Sequence, residues 1–379
     1  MSTIAVNAIT DANGGNTTSI NNTTPTVYNT VGKNRIINGN MMIDQRNDGA
    51  EVTNSNSQYT VDRFDLSKSA TSTVSFQQNQ GSVTPPTGFI NYLGFTTTTS
   101  SSPSSSEYVL CRQRIEGFNI TDLGWGTVNA VTVTLSFWVR SSLTGTFGGS
   151  LRNNGNNRSY VFSYTISSAN TWEKKSITIA GDTTGTWATT NGTGITLTFS
   201  LGSGSDYLST ADSWQNGNYQ GVSGQTNIVS TNGATWQITG VQLEVGETAT
   251  EFEHRPYPIE LQLCHRYYQI IRAHGGSRQL VGLGYGYDGD DIMGLYHLTV
   301  PLRTNQPTMS FNGVCLFLGS TVDTNTIVFA LNNYPAVNHT VIAINVDNTG
   351  SPAIAARDCI AYGFTSGTSA NYIDVDAEL

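Results

Sequence analysis

The chain has 379 residues, of which 37% are hydrophobic and only 12% are charged, and 27 acidic residues outnumber 18 basic ones to give a formal net charge of -9. Because phosphate groups are bound by clustered cations, this balance argues against nucleic acid as a partner. No stretch approaches the roughly 18 continuous apolar residues of a membrane helix, and the N-terminus lacks the pattern of a signal peptide, so we expect no membrane insertion.

Residues 1–34 are predicted to be an extended N-terminal segment, and within them Thr10 to Thr30 form a polar segment that is rich in Asn, Thr and Gly. This segment holds too few apolar side chains to fold as a unit, so it is predicted to be extended, or ordered only by a partner. Ile4, Val6 and Ala8 alternate ahead of it and could add a strand to the edge of a neighbouring sheet.

Residues 35–255 show the period of two that is typical of strands with one buried face. In the clearest run, apolar side chains alternate with mostly polar ones from Val131 to Val139, and the alternation returns around Tyr160, Ile195 and Trp236. Thr, Ser, Asn and Gly dominate the composition, which disfavours helix interiors. The fold class is therefore predicted to be all-β, with an antiparallel jelly-roll sandwich over these residues.

The period changes after Pro256 and Pro258. Leu263, Tyr267 and Ile271 lie at helical spacing, which predicts one short linking helix over residues 256–272. Strand-like stretches return beyond it. Residues 273–379 are therefore predicted to form a smaller C-terminal β-sandwich domain.

Glycine-rich and acidic stretches in this C-terminal part give only weak signs of a site. Gly284–Gly289 matches the G-x-G-x-x-G pattern of dinucleotide-binding turns, but acidic residues and a strand follow it, so a glycine-rich turn is favoured. Asp288, Asp290 and Asp291 could bind calcium, yet their spacing does not match the twelve-residue helix-loop-helix site. A solvated turn is the simpler interpretation.

Paired carboxylates can cleave glycosidic bonds when they converge in space, and two groups of acidic residues are candidates. They are Glu244, Glu247, Glu251 and Glu253 near the domain junction, and Asp374, Asp376 and Glu378 near the last residues. Each group is more simply a row of solvent-facing side chains. No histidine pair has metal-ligand spacing and no serine lies in a G-x-S-x-G elbow, so no enzymatic activity is expected. The four widely spaced cysteines are expected to be reduced thiols.

Binding is better supported than catalysis, because Tyr and Trp in the polar loops of an all-β scaffold present flat rings and hydroxyls that suit sugar stacking. The candidate glycan-binding residues are Trp187, Tyr207, Trp214, Tyr219, Tyr285, Tyr287 and Tyr334. For any one of these rings, capping the edge of a core is the simpler interpretation.

Seven short strings in a fixed order carry a resemblance to a known family. They begin at Lys33 (KNRIINGNMMIDQR), Tyr59 (YTVDRF), Arg114 (RIEG), Leu135 (LSFWVR), Gly240 (GVQLEVG), Phe252 (FEHRPY) and Leu263 (LCHRYY). Together they resemble tail fibre proteins of tailed bacteriophages that carry a jelly-roll module similar to carbohydrate-binding modules. Weaker similarity extends to both ends, through Ile4–Gly15, Pro301–Arg303, Pro307–Thr308 and Ala377–Leu379.

The resemblance implies a homotrimeric fibre of the virion tail, assembled in the host cytoplasm. Residues 1–34 would attach the fibre to the virion by docking on tail adaptor or nozzle proteins, and its distal domain would meet host surface polysaccharide or lipopolysaccharide. The same resemblance implies a structural calcium near the first and last strands, which would map onto Asn38, Asn40 and Glu244. Met41 and Met42 follow Asn40 where the family commonly has an aromatic–acidic pair.

We therefore expect a tail fibre that adsorbs to the host by binding surface glycan, with residues 273–379 as the first candidate for receptor contact. Two alternatives stay open at this point. One is a structural head-decoration or collar fibre. The other is a polysaccharide depolymerase, although the ladder-like repeats of a β-helix are not found in the sequence.

Overall fold

The computed structural model describes residues 32–53, 57–273, 279–286, 291–304, 307–318, 321–323, 327–331, 341–348, 359–364 and 371–379. Backbone contacts divide them into two compact units. The first unit comprises the described residues up to Met42, together with Gly49–Thr60 and Phe64–Arg255. The second comprises Ile43–Asp48, Val61–Arg63 and Pro256–Leu379. Apart from residues 32–34, the segment predicted to attach to the virion lies outside the described residues.

The two short segments of the second unit were assigned to the jelly roll by the sequence analysis. The structure places them with the second unit because they bond to its strands. Gln45 Nε2 donates to the carbonyl of Tyr268 at 3.2 Å, and Arg272 Nη2 donates to the carbonyls of Gln45 and Arg46 at 2.8 and 2.7 Å. The start of the long segment at Pro256 coincides with the predicted boundary after residue 255.

The first unit is built from strands that pair antiparallel, apart from the parallel pair of β12 and β14. In chain order they are β1 (Val52–Thr53), β2 (Gln58–Tyr59), β3 (Phe64–Lys68), β4 (Thr73–Gln78), β5 (Leu93–Thr99), β6 (Tyr108–Glu116), β7 (Val133–Ser141), β8 (Gly145–Asn153), β9 (Arg158–Ile166), β10 (Glu173–Ile179), β11 (Thr193–Ser203), β12 (Leu208–Ser209), β13 (Ser213–Asn216), β14 (Gly221–Val222) and β15 (Thr235–Val245). Short 3-10 helices span Gln80–Ser82, Gly117–Leu123, Ser205–Tyr207 and Ile228–Ser230.

These strands form two main sheets. One has six strands in the order β1-β4-β5-β15-β7-β10, and the other has seven in the order β13-β9-β8-β11-β6-β3-β2. Ring contacts join them, since Phe199 of β11 lies 5.0 Å from Phe137 of β7 and 5.7 Å from Trp236 of β15, between ring centroids. The prediction of an antiparallel sandwich is confirmed by this pairing.

The β15 strand shows how the sequence directs its side chains. Its apolar residues fall at Trp236 and Ile238 and then at Val241 and Leu243, so their alternation changes phase once. The pairing with β7 shifts register at this point, between Thr239 and Gln242. Such a β-bulge inserts one residue and turns the next side chain back to the core. All four of the apolar side chains are fully buried, and each contributes roughly 2 kcal/mol through burial.

The predicted linking helix is only partly confirmed. Helix α1 spans Tyr257–His265, with Pro258 in its first turn, and the chain then enters strand β16 (Tyr268–Arg272). The helical prediction over 268–272 is wrong because β16 pairs along its whole length with a later strand, and this pairing outweighs the local spacing. Ile270 and Ile271 are β-branched and suit a strand. Within the described residues, no helix is long and apolar enough to cross a membrane.

The second unit continues with β17 (Gln279–Gly286), β18 (Asp291–His297), β19 (Thr308–Asn312), β20 (Val314–Leu318), β21 (Thr321–Asp323), β22 (Ile327–Leu331), β23 (Val341–Asn348), β24 (Cys359–Phe364) and β25 (Tyr372–Asp376). They form a three-stranded sheet, β16-β25-β19, and a seven-stranded sheet, β21-β20-β24-β17-β18-β23-β22. Leu316, Tyr362 and Phe364 of the larger sheet pack with Ile373 and Val375 of the smaller one. The predicted second β domain is confirmed as a fold class.

Ion pairs connect the two short segments of the second unit to the end of its last strand and to Glu378 beyond it. The Arg63 guanidinium is 2% exposed, forms an ion pair with Glu378 and lies 3.5 Å from the ring centroid of Tyr267. Arg46 reaches Asp376 at 2.8 Å and Glu378 at 3.4 Å. Because an unpaired charge is costly inside a protein, these pairs require both segments to be in place.

Replacing Glu378 by Ala should therefore destabilise the second unit. The substitution leaves Arg63 buried without its carboxylate, which costs about 3 kcal/mol of unfolding free energy. Glu247→Ala, at an exposed carboxylate, is the matched control and should cost less than about 0.5 kcal/mol. Urea denaturation of both variants measures the difference. Equal losses for the two would show that the ion pairs do not hold the unit together.

Candidate functional site

The outer face of the seven-stranded sheet carries charged and hydroxyl side chains in two rows. Strand registers place Tyr59, Asp65, Arg112, Thr198 and Ser150 in one row across β2, β3, β6, β11 and β8. The second row contains Arg114, Thr196, Arg152 and Ser159, across β6, β11, β8 and β9. We call these nine residues the polar face.

Asp65 is the centre of the better-exposed half of the polar face. Arg112 donates two hydrogen bonds to its carboxylate, from Nε to Oδ1 at 3.0 Å and from Nη2 to Oδ2 at 2.8 Å. Arg114 Nη1 lies 3.3 Å from the same Oδ2 and 3.4 Å from the hydroxyl of Tyr59. Burial alone would lower the pKa of Arg112, but the hydrogen bonds and charge of Asp65 outweigh it and raise that pKa. Arg112 is therefore a cation held in place by Asp65.

Arg152 occupies the covered half of the face and has no carboxylate in contact. Its Nη1 donates to the side-chain oxygens of Asn156, at 2.9 Å, and Asn218, and its Nη2 donates to Thr198 Oγ1 at 3.4 Å. The residue is only 2% exposed. Burial, and next the positive charge of Arg112, lower the pKa of Arg152 to about 10. It is therefore a charged side chain held by neutral partners alone.

Three buried polar atoms at this place lack a hydrogen-bond partner. They are Arg152 Nε, Ser150 Oγ and Gln220 Oε1. Ser150 and Arg152 are two residues apart on β8 and point to the same side of the sheet. Gln220 lies between Asn218, which accepts from Arg152, and Val222, whose backbone nitrogen lies against Gly148 of β8. A buried unpartnered donor or acceptor normally costs about 1–3 kcal/mol, so unpaired groups gathered together indicate a place for a polar ligand or water.

Two of the predicted binding residues lie beside the polar face. Tyr207 packs edge to face on Tyr108, with ring centroids 5.2 Å apart, and Tyr108 is the outward-facing residue that opens β6. Tyr219 N–H donates to the hydroxyl of Ser159 at 3.4 Å. Both tyrosines are half-buried. The structure thus brings these two predicted residues to the edge of the site, on the segment that covers it.

Two other predicted residues, Trp187 and Trp214, form an aromatic cluster with Trp125. Each pair of rings meets edge to face with centroids 4.8–5.4 Å apart. Trp187 is 8% exposed, and its Nε1 donates to Asp182 at 3.1 Å. Its indole therefore offers little free face to a sugar. Trp214 is half-buried, and its Nε1 donates to the carbonyl of Ala180 at 2.7 Å. The contacts give both rings a structural role.

Only one of the three binding residues predicted for the C-terminal domain lies within the described residues. Tyr285 lies on β17, opposite Met293 of β18 and Cys359 of β24. Tyr287 and Tyr334 lie outside the described residues. Gly284–Gly286 of the glycine-rich stretch lie within β17 and pair antiparallel with β18, whereas the rest of the predicted turn, residues 287–290, lies outside the described residues. Cys111, Cys264 and Cys315 are buried free thiols.

The carboxylates predicted for paired chemistry are held by local hydrogen bonds. Glu244 is 1% exposed and accepts from Gln242 Nε2 at 2.8 Å and from Thr250 N and Oγ1 at 2.9 and 2.7 Å. Glu253 accepts from the backbone of Asn34 at 2.9 Å, and Asp374 accepts from Tyr268 at 2.9 Å. The sequence analysis interpreted these carboxylates as solvent-facing. The structure shows instead that Glu244 is buried and Glu253 is half-buried, and both are held by hydrogen bonds.

The calcium implied for Asn38, Asn40 and Glu244 stays a prediction. Asn40 Oδ1 is buried without a hydrogen-bond partner, which suits a cation ligand. Glu244 fits less well, because three protein donors already point at its two oxygens. Among the residues that the structure describes, no group of three or more His, Cys, Asp or Glu could hold a metal ion.

Neither a family model nor a curated protein matches the chain. A putative sugar-binding protein from Bacteroides thetaiotaomicron is similar over 56% of this chain and 100% of its own, at 12% identity and a TM-score of 0.31. The enzymatically active domain of tailspike protein 4 of bacteriophage CBA120 gives 13% identity and a TM-score of 0.29, over 56% of this chain and 21% of its own.

A family 11 carbohydrate-binding module from Clostridium thermocellum, in complex with a mixed-linked tetrasaccharide, is 12% identical over 54% of this chain and 98% of its own, with a TM-score of 0.26. The match to the tailspike protein covers only about a fifth of the length of that chain. At TM-scores of 0.26–0.31 these similarities carry no argument about function, and the fold assignment rests on the strand pairing described above.

The sequence analysis missed the arginines of the polar face. A signal was present, because Arg112 and Arg114 are separated by one residue in a strand and must share a face. Arginines are scarce in a chain with 12% charged residues. What the sequence could not show is that Arg152, about forty residues further on, joins them through β11.

The Asp182 carboxylate accepts a hydrogen bond from the tryptophan cluster, and its negative charge is expected to stabilise the first unit. Asp182 is fully buried and accepts from Arg158 Nη2 at 2.7 Å and from Trp187 at 3.1 Å. Burial opposes its ionisation, but the hydrogen bonds from Arg158 and Trp187 outweigh burial and lower the pKa of Asp182 from 3.8. Its stabilising effect is therefore present above the unfolded pKa and is lost as the pH falls through the folded pKa.

Asp182→Asn should lower the unfolding free energy by about 2 kcal/mol at about pH 7, and the deficit relative to wild type should shrink at about pH 3. Asp206→Asn, at an exposed carboxylate, should change little at either pH. Urea denaturation at the two pH values measures both effects. A deficit that does not change with pH would mean that the Asp182 charge contributes nothing.

Proposed function

We propose that the first unit binds glycan on the polar face, and that the protein is a tail fibre that adsorbs to its host through this binding. The observation that carries the binding proposal is Arg152, a buried cation with no carboxylate in contact and an unpartnered Nε. The tail-fibre part of the proposal is supported by the ordered strings between Lys33 and Tyr268.

The side chains of the polar face suit sugar hydroxyls. A guanidinium supplies donors in a fixed plane, a carboxylate supplies only acceptors, and a threonine or serine hydroxyl supplies both. Arg114, Asp65 and Ser150 provide one of each kind on a single sheet face. Tyr59, Tyr108 and Tyr207 stand at its edge and add rings that can pack on a sugar ring. This combination can hold a polyhydroxylated ligand in one orientation.

Stability arguments also favour a functional role for Arg152. Taking a guanidinium out of water is costly, and an ion pair with a carboxylate commonly offsets part of that cost. Arg158 has such a partner in Asp182, at 2.7 Å. Arg152 has only amide and hydroxyl oxygens. Residues that reduce stability without a structural gain are typical of binding sites.

In the full proposal the fibre is a homotrimer on the virion tail, docked through its N-terminal segment, and it binds without cleaving. Each site would be shallow and weak on its own. Three copies per fibre and several fibres per particle would raise the effective affinity through linked binding. Weak single sites are therefore compatible with firm adsorption of a particle.

Replacing Arg152 by Met tests the proposal. The variant keeps the length of the side chain and removes a buried charge that has no carboxylate, so its unfolding free energy should stay within about 1 kcal/mol of wild type. Its binding should fall by about tenfold or more, since a charge-assisted hydrogen bond contributes about 1.5–3 kcal/mol. Binding of the full chain to a panel of bacterial surface polysaccharides measures the second effect, and denaturation measures the first.

Arg140→Met provides the matched control, because it removes the same charge from β7 of the other sheet. This control should bind as wild type does. A folded Arg152→Met variant with full binding would contradict the assignment of the site. Release of new reducing ends from a bound polysaccharide would contradict the non-enzymatic part of the proposal and favour the depolymerase.

A further inference from the structure

A buried amide, a buried carboxylate and a hydroxyl meet on β15 of the six-stranded sheet. Gln242 and Glu244 are two residues apart in this strand and therefore share a face. They are 0% and 1% exposed. The segment that follows β15 lies against them, since the backbone N–H of Thr250 donates to Glu244 Oε1 at 2.9 Å. A carboxylate is thus held beside an amide and a hydroxyl in a place that is largely closed to water.

Glu244 bridges the hydroxyl and the amide. Its Oε2 accepts from Thr250 Oγ1 at 2.7 Å, and its Oε1 accepts from Gln242 Nε2 at 2.8 Å. Thr250 Oγ1 lies 3.5 Å from Gln242 Nε2. Because the C–N bond of an amide is about 1.33 Å long, the hydroxyl oxygen lies at most about 4.8 Å from the amide carbon, Cδ. A small side-chain movement therefore brings the hydroxyl into contact with that carbon.

Two further groups complete the arrangement. The backbone N–H of Glu253 donates to Gln242 Oε1 at 2.9 Å, which polarises the amide carbonyl and stabilises negative charge on its oxygen. The Lys33 ammonium donates to Thr250 Oγ1, and also to the carbonyl of Glu251 at 2.7 Å. A positive charge beside the hydroxyl favours its deprotonated form. A nucleophile, a base, a polarised carbonyl carbon and a donor for the carbonyl oxygen are therefore assembled in one place.

We propose that Thr250 and Gln242 form an intramolecular ester bond, in a single reaction that the folded chain performs on itself. Glu244 accepts the proton of Thr250 Oγ1, and an electron pair of this oxygen forms a bond to Gln242 Cδ. The carbonyl electrons move onto Oε1, opposite the Glu253 N–H, and return as the bond between Cδ and Nε2 breaks. Glu244 passes its proton to the nitrogen, which leaves as ammonia. One hydroxyl and one amide thus give one ester and one ammonia, and no further reagent is required.

The ester fastens the segment after β15 to that strand. It closes a covalent ring over residues 242–250, and the chain just beyond this ring holds the first described residues. The Glu253 carboxylate accepts from the backbone of Gly32 at 2.6 Å and of Asn34 at 2.9 Å. A cross-link of this kind restricts the unfolded chain and so stabilises the folded one. Burial protects the ester from hydrolysis, and the escape of ammonia into bulk solvent favours the product.

The mass of the full chain tests this proposal. We expect it to be about 17 Da below the mass of the sequence, which is the mass of one ammonia. Digestion of the denatured chain after glutamate, at mildly acidic pH to preserve esters, locates the loss. Glu244 and Glu247 lie between Gln242 and Thr250, so these two residues fall in different peptides unless they are joined. The two peptides should be recovered as one, and hydroxylamine, which cleaves esters, should separate them.

Variants assign the roles of the two outer residues of the bridge. Thr250→Val removes the attacking oxygen and should restore the mass of the sequence, whereas Thr250→Ser should keep the loss of ammonia. Thr248→Val, at an exposed threonine, is the matched control and should also keep the loss. Glu244→Gln removes the base and should slow ester formation by about a hundredfold. Complete linkage in this last variant would contradict the role of Glu244.

Two results would overturn the ester itself. One is a chain with the full mass of its sequence, from which the peptides of Gln242 and Thr250 are released separately. The other is a loss of ammonia that persists in Thr250→Val, because the loss would then come from another site, such as one of the Asn–Gly pairs. Neither result affects the proposed glycan binding, since the polar face belongs to the other main sheet.

Discussion

The two-residue period of the strands is the constraint on which the site depends. Successive side chains of a strand point to opposite faces, so the register that buries one set also exposes the other. In β6 this rule sends Cys111 toward the core and Arg112 to the outer face, opposite Asp65. A slip of one residue would move the guanidinium into the core. The apolar interior therefore fixes the positions of the arginines without contacting them.

Buried arginines have different partners in different parts of the chain. Arg158 is paired with Asp182, and in the second unit Arg63 is paired with Glu378. Each of these pairs satisfies a charge and fastens segments that are distant in sequence. Arg152, which is 2% exposed, is held by Asn156, Asn218 and Thr198. Arginine thus forms an ion pair in two places, whereas Arg152 has only neutral partners.

The regular part of the fold was predictable because its information is local. The alternation between Val131 and Val139 identified β7, and the phase change in the run after Trp236 corresponds to the β-bulge of β15. The error over 268–272 has a non-local cause, since Ile270 and Ile271 are drawn into a strand by pairing with β25. Helical spacing in a short segment cannot outweigh a complete set of ladder hydrogen bonds.

Of the candidate site, only residues that lie beside the polar face were predicted from the sequence. Tyr207 and Tyr219 could be singled out because aromatic rings in polar segments are visible in the sequence, and both lie beside the polar face. Trp187 showed the same signal but is buried in its cluster. The arginines of β6 and β8 become one group only through β11, which lies between them in the sheet. Strand order is a property of the folded chain, and no local pattern encodes it.

A crystal structure of the full chain with a bound oligosaccharide from a polysaccharide that it binds tests the central claim most directly. The account predicts a sugar oxygen within hydrogen-bonding distance of Arg152, with sugar rings packed near Tyr59 and Tyr108. The rings of Phe89, Phe252 and His254 lie together, with centroids 5.0–5.4 Å apart. An oligosaccharide bound to these rings, with the polar face left unliganded, would contradict the account.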